Sequence, residues 1–223
     1  MKKFRLVFYI PDKKDGSHID DLIGGWTIFL NRIGSVATLD FDRLKVLKTL
    51  YSSHEELWLP DEVGDFDSFP KAEYFYGNSW TSTMGQIGGK SRTGSGVCCR
   101  LASEVFKNPE RWFYAEFEVS DFGYHEMLTM MKVELEANKG YDVQMILNFF
   151  LPLGIGEKDK WICSEFTNYM AKIALRGRTN HKQYAAIVET LKDTMSPLRS
   201  AWTLARQGVF MYNLDGSVRY GLE

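Results

Sequence analysis

Glu157-Lys158-Asp159-Lys160-Trp161-Ile162-Cys163-Ser164-Glu165-Phe166 runs from a charged loop into an apolar-periodic segment. Cys163, Phe166, Met170 and Ile173 recur at the spacing of one helical face, which predicts a helix over residues 163–175. A cysteine in the first turn of a helix stands where unpaired N–H groups and the helix dipole favour negative charge. Its thiolate is then stabilised relative to an ordinary thiol, whose pKa is about 8.5. The same spacing suits a buried structural cysteine in a core stripe, so the stretch alone leaves both readings open.

Outward from this stretch the chain changes character near Asp121. Before it, residues 4–10, 50–59, 72–76, 97–101 and 112–119 are rich in β-branched and aromatic residues and read as strands. Residues 20–33 and 41–50 are early helix candidates, and residues 61–70 and 85–96 read as loops, the second holding five glycines. After Asp121, residues 126–137, 143–151, 163–175, 183–195 and 197–206 read as helices. Ser196-Pro197 supplies N-cap and N1 chemistry for the last of them. Residues 209–220 contain Asn213-Leu214-Asp215-Gly216 and suit a small hairpin. Strands first and helices later, without regular alternation, predict an α+β fold. The expected organisation is one domain over 1–223, with residues 180–223 as a helical C-terminal extension.

Composition narrows the function classes. The 223 residues carry 27 Lys+Arg against 29 Asp+Glu, a net charge of −2 that gives no case for a nucleic-acid partner. With 44% hydrophobic and 14% aromatic residues the chain can bury a core. No apolar stretch approaches the roughly 20 residues that span a bilayer, and residues 6–11 are too short for a secretory h-region, so the expected location is cytoplasmic. Three cysteines, two of them the adjacent Cys98 and Cys99, argue against a disulfide framework. On a strand, Cys98 and Cys99 should point one inward and one outward.

Two motif readings fail on spacing. Gly88-Gly89-Lys90-Ser91 has Met84 where a P-loop requires glycine. His54-Glu55 and His125-Glu126 lack the second histidine of a zinc motif, with Trp58 and Thr129 in that place. The basic stretch at 172–182 reads as the solvated end of a helix.

A thiol nucleophile needs a base, and the base needs an orienting group. Among the four histidines, His54 has the most suitable setting. On a strand, residues 54, 56 and 58 share a face, which places Glu56 beside His54. Asn78 and Ser79 are the alternatives for the orienting group. Trp58, Trp80 and Tyr76 are candidates for the walls of a cleft, with Tyr141 and Asp142 lining it.

Ser53-His54-Glu55-Glu56-Leu57 and Trp161-Ile162-Cys163-Ser164-Glu165 together resemble the Ser-His-x-Glu-hydrophobic strand and the aromatic-x-Cys-Ser-Glu helix start of the permuted papain-like thiol hydrolases. This is the NlpC-type superfamily in its circularly permuted, YiiX-like form, found in bacteria and tailed phages. Gly25-Trp26-Thr27, Tyr141-Asp142 and Ser196-Pro197 match further pieces of the pattern in the same order, so the likeness covers residues 4–206. The segment between Thr27 and His54 and the loop at 61–70 are longer than that pattern.

The resemblance implies an antiparallel sheet carrying His54, packed on a helix whose N-terminus carries Cys163. It implies a cysteine-dependent amide hydrolase with Cys163 as nucleophile, His54 as base and Glu56 as orienting group. Trp58, Tyr141, Asp142 and Ser79 would then meet substrate. The implied substrate is a peptide or small amide, with cell-wall peptides and isopeptides foremost, and no cofactor or metal is required. Relatives of this kind include lipid acyltransferases and thioesterases. A catalytically silent interaction protein on the same scaffold is the third reading. A phage-encoded member would be virion-associated.

Overall fold

The computed structural model describes residues 1–11, 49–60, 77–83, 96–137, 139–142, 160–177, 181–193 and 195–221. Alternation writes the first strand, β1 (Lys2–Tyr9): Phe4, Leu6 and Phe8 face one way and Arg5 and Val7 the other. β1 pairs antiparallel with β2 (His54–Leu59) on one side and β5 (Trp112–Val119) on the other. The register brings Phe4 opposite Phe117 and Phe8 opposite Phe113, and both pairs stack with ring centroids 5.1 Å apart. β3 (Asn78–Thr83), β4 (Gly96–Leu101), β6 (Met211–Asn213) and β7 (Val218–Tyr220) complete the sheet. Among the described residues it is a seven-stranded antiparallel sheet in the order β4-β3-β2-β1-β5-β6-β7.

Five helices accompany the sheet among the described residues. α1 (Ala102–Val105) is a single turn after β4. α2 (Asp121–Ala137), α3 (Cys163–Arg176), α4 (Lys182–Thr190) and α5 (Pro197–Arg206) follow β5 in sequence. α3 is the hub, packing on β2, β3, α2, α4 and α5. Its Phe166, Met170 and Ile173 join Leu57, Trp80, Phe113 and Met131 in the main core. The chain is therefore α+β, with α3 laid on the sheet and Cys163 at its first residue. A smaller cluster of Val7, Trp58, Ala102, Phe106, Trp112 and Tyr114 fills the opposite face.

Several boundaries differ from expectation, each for a local reason. The helix expected to run to 195 ends at Thr190, and Leu191 is extended. The carbonyls of Lys192 and Met195 instead accept hydrogen bonds from Asn168 and Ser164 of α3. Pro197 then starts α5, with the Ser196 hydroxyl accepting from the Arg199 N–H. Residues 181–221 supply two strands as well as two helices, and Leu198, Leu204 and Met211 lie in the main core. Cys98 and Cys99 are both buried rather than one inward and one outward, because both faces of the sheet are covered there.

The expected elements at 20–33, 72–76 and 143–151 lie outside the described residues, as do residues 41–48 of the expected 41–50 helix. So do Trp26-Thr27, Tyr76 and the loops at 61–70 and 85–95.

Candidate active site

The strand β2 opens at His54 and the helix α3 opens at Cys163, and packing of α3 on β2 brings the two first residues together. The Cys163 thiol lies close enough to the His54 ring to act on its titration. Cys163 is 5% exposed and the His54 side chain 22% exposed, so the pair sits at a nearly closed surface.

Strand alternation places Glu56 on the same face as His54, as expected. His54 Nε2 donates to Glu56 Oε1 across 3.2 Å. Burial works against the imidazolium. The charge and hydrogen bond of Cys163, joined by those of Glu56, overcome it and raise the pKa from 6.5 to about 10.

Glu56 is wholly buried, and burial alone would push its carboxyl up. The Arg100 guanidinium, then His54 and Ser79, outweigh that and hold it below its ordinary 4.5. Arg100 donates to Glu56 Oε1 and the Ser79 hydroxyl to Oε2. Ser79 and Arg100 are direct partners across β3 and β4, so the sheet register itself aims both at one carboxylate.

Arg100 is the member of this chain that the sequence reading missed. Its signal was present, since a lone arginine on a strand otherwise made of Gly, Val, Cys and Leu must find an acid if the strand is buried. Ser79 is fully buried with its hydroxyl on Glu56. Asn78 is buried at the start of β3, on the opposite face of the strand from Ser79.

The other candidates fall in two groups. Tyr141 and Asp142 are drawn to the site: Tyr141 bridges to Trp161, and the Asp142 N–H donates to the Trp161 carbonyl at 3.2 Å. Trp161 is fixed from two more sides. Its carbonyl accepts from the Ser82 hydroxyl at 2.9 Å, and its indole N–H donates to Glu134 on α2 at 2.8 Å. The residue two places before the nucleophile candidate is thus tied to both the sheet and α2.

Trp58 and Trp80 are not brought to the pair. Trp58 packs on Phe106 in the second cluster, under the Arg5 guanidinium at 4.4 Å. It lies four strand residues, about 13 Å, from His54. Trp80 belongs to the main core. Of the other described histidines, His125 lies on the exposed side of α2, and His181 packs at a tilt on Tyr184 with centroids 4.9 Å apart.

The start of α3 has an unusual cap. Ile162 occupies the N-cap and offers no side-chain acceptor, so the first-turn N–H groups are left without the usual Ser, Thr, Asp or Asn oxygen. Glu165, three residues on, accepts from the Ile162 N–H, which is half of a capping box. Burial, with Asp142 and Asp193 nearby, raises the Glu165 pKa to about 7. Cys98 is the contrasting thiol: burial pushes it up to about 11, with Arg100 opposing. Comparison with protein-family models, with curated proteins and with solved structures found no match.

Proposed function

We propose that the chain is a thiol hydrolase acting on amide bonds, built as a circularly permuted papain-like domain. The observation that carries this reading is the approach of Cys163, at the first residue of α3, to a His54 ring that Glu56 holds through Nε2. The order of the parts, His strand before Cys helix, is that of the permuted family the sequence resembles.

The thiolate of Cys163 attacks the amide carbonyl, forming the C–S bond and placing negative charge on oxygen. The uncapped first-turn N–H groups of α3 face that charge, where one preorganised donor is worth about 2.7–4 kcal/mol. His54 gives its proton to the amine as the C–N bond breaks, leaving a thioester. Water then attacks the thioester with His54 as base, and the sulfur leaves as thiolate. Glu56, kept ionised by Arg100, keeps the imidazole turned toward the sulfur throughout. Peptides or small amides, cell-wall peptides and isopeptides among them, are the proposed substrates.

The test is alkylation of the intact chain by iodoacetamide, followed residue by residue by mass spectrometry. Cys163 should label faster than Cys98 and Cys99, and His54→Ala should remove the advantage. Cys163→Ala should fold and lose turnover on a panel of cell-wall peptides and acyl esters. Uniform slow labelling, or turnover retained by Cys163→Ala, would overturn the reading. Turnover of the esters alone would assign the acyl-transfer chemistry.

A further inference from the structure

Glu55 is the residue of β2 whose chemistry the Cys163–His54–Glu56 array does not use. It lies between His54 and Glu56, so its side chain leaves the opposite face of the strand, toward the helices. It is completely buried. Neither carboxyl oxygen meets a partner at full hydrogen-bond geometry; among the described residues the hydroxyls of Thr167 and Ser200 lie nearest to it as hydrogen-bond partners, and Cys163 acts on it through charge. Thr167 stands one helical turn below Cys163 on α3, and Ser200 lies on α5.

The bonds these hydroxyls already make fix what they can offer. The Thr167 hydroxyl donates its proton to the Ser164 carbonyl at 3.3 Å, so it presents only a lone pair to Glu55. The Ser200 oxygen accepts from Asn168 Nδ2 at 2.8 Å, so its own proton is free to be donated. One acceptor and one donor complement a neutral carboxylic acid, which has one of each, and not a carboxylate, which only accepts. Among the described residues, the charged groups with the largest influence on Glu55 are Cys163 on α3, which repels an anion, and His54 on its own strand, which attracts one. Burial first, and Cys163 after it, hold the Glu55 pKa well above 4.5.

We propose that Glu55 is a positioning residue for the nucleophile: a neutral carboxylic acid that donates to Thr167 and accepts from Ser200, tying β2 to α3 and α5 so that the Cys163 sulfur is held against His54. The proposal rests on the reading of Cys163 and His54 as the reactive pair.

The experiment compares the intact chain with Glu55→Gln and Glu55→Met. Glutamine keeps one donor and one acceptor in the same shape, so Cys163 should keep its rapid, His54-dependent alkylation. Methionine keeps the volume and loses both, so alkylation should slow by about tenfold or more, the scale of one or two lost hydrogen bonds. Infrared difference spectra of wild type against Glu55→Gln should show a protonated carboxylic acid at neutral pH. Blocking Cys163 with iodoacetamide, which leaves an uncharged adduct, should move that band's midpoint to lower pH, a coupling that packing alone does not produce. Absence of the band, no shift on blocking, or Glu55→Met labelling as fast as wild type would overturn the Glu55 proposal while the hydrolase reading stands. Slow wild-type labelling of Cys163 that is indifferent to His54→Ala would overturn the hydrolase reading itself and the positioning role with it, even with the band present.

Discussion

Replacing Cys163 with alanine should lower the pKa of His54 by a large and measurable amount. The rise from 6.5 to about 10 corresponds to roughly 5 kcal/mol of preference for the imidazolium, at 1.36 kcal/mol per pKa unit. That figure is already net of burial, which acts in the opposite direction and is the largest single influence. The sulfur supplies both a charge and a hydrogen bond, and Glu56 supplies the rest. With the sulfur gone, Glu56 alone must offset burial, and the ring should titrate well below 10.

Four histidines make the assay tractable by NMR of the ring C–H signals, with His54→Gln identifying the relevant resonance. Stability follows the same sign. A histidine whose folded pKa is raised contributes fully below 6.5 and loses that contribution as pH rises through about 10. A His54 resonance that titrates near 6.5 in wild type, or identically in both proteins, would refute the ion pair.

Three further perturbations address the supports of the site. Arg100→Met strips the guanidinium from the buried Glu56 charge and should cost about 3–5 kcal/mol in urea unfolding, with much of it recovered in the Arg100→Met/Glu56→Gln double variant. Glu165→Gln should remove a pH dependence. A carboxyl raised to about 7 in the folded state favours folding when protonated, so wild-type stability should fall between about 4.5 and 7 relative to the variant. Gly96 has φ +107°, and a Cβ there would overlap the Lys139 carbonyl, so Gly96→Ala should lower the Tm, with a backbone strain of about 1–3 kcal/mol before any clash. Because Lys139 leads directly into Tyr141 and Asp142, the same variant should also slow Cys163 alkylation.

What the sequence made legible follows the strength of its periodicities. β5 and α5 were read to the residue, because one is a run of aromatic and β-branched side chains and the other has an explicit Ser-Pro start. α3 and β2 were located because apolar spacing and alternation are local properties. β3 was not read over its own residues: Asn78-Ser79-Trp80-Thr81-Ser82-Thr83 is almost wholly polar, yet every residue of it is buried. Its burial comes from lying between two strands with both faces covered, which no local pattern encodes. The Arg100–Glu56 contact was hidden for the same reason, since it joins β4 to β2 through a strand the pattern did not reveal. Trp58 was misplaced because aromatic composition does not distinguish a cleft wall from the packing of a sheet's second face.

The three glutamates around Cys163 show how one side chain is put to three uses by its neighbours. Glu56 meets a guanidinium, an imidazolium and a hydroxyl donor, and is held ionised. Glu165 meets one backbone N–H but two other acids, and sits near neutrality at the helix cap. Glu55 meets two hydroxyls and the sulfur, and its surroundings suit the neutral acid. The division is chemically consistent with a thiolate–imidazolium pair. Among these three glutamates, the one held ionised lies on the imidazole side, where it favours the cation. A second fixed charge beneath the sulfur would raise the energy of the thiolate and draw the proton back from His54. Adjacent glutamates on a strand point to opposite faces, so the separation of these two roles is dictated by nothing more than the pleat.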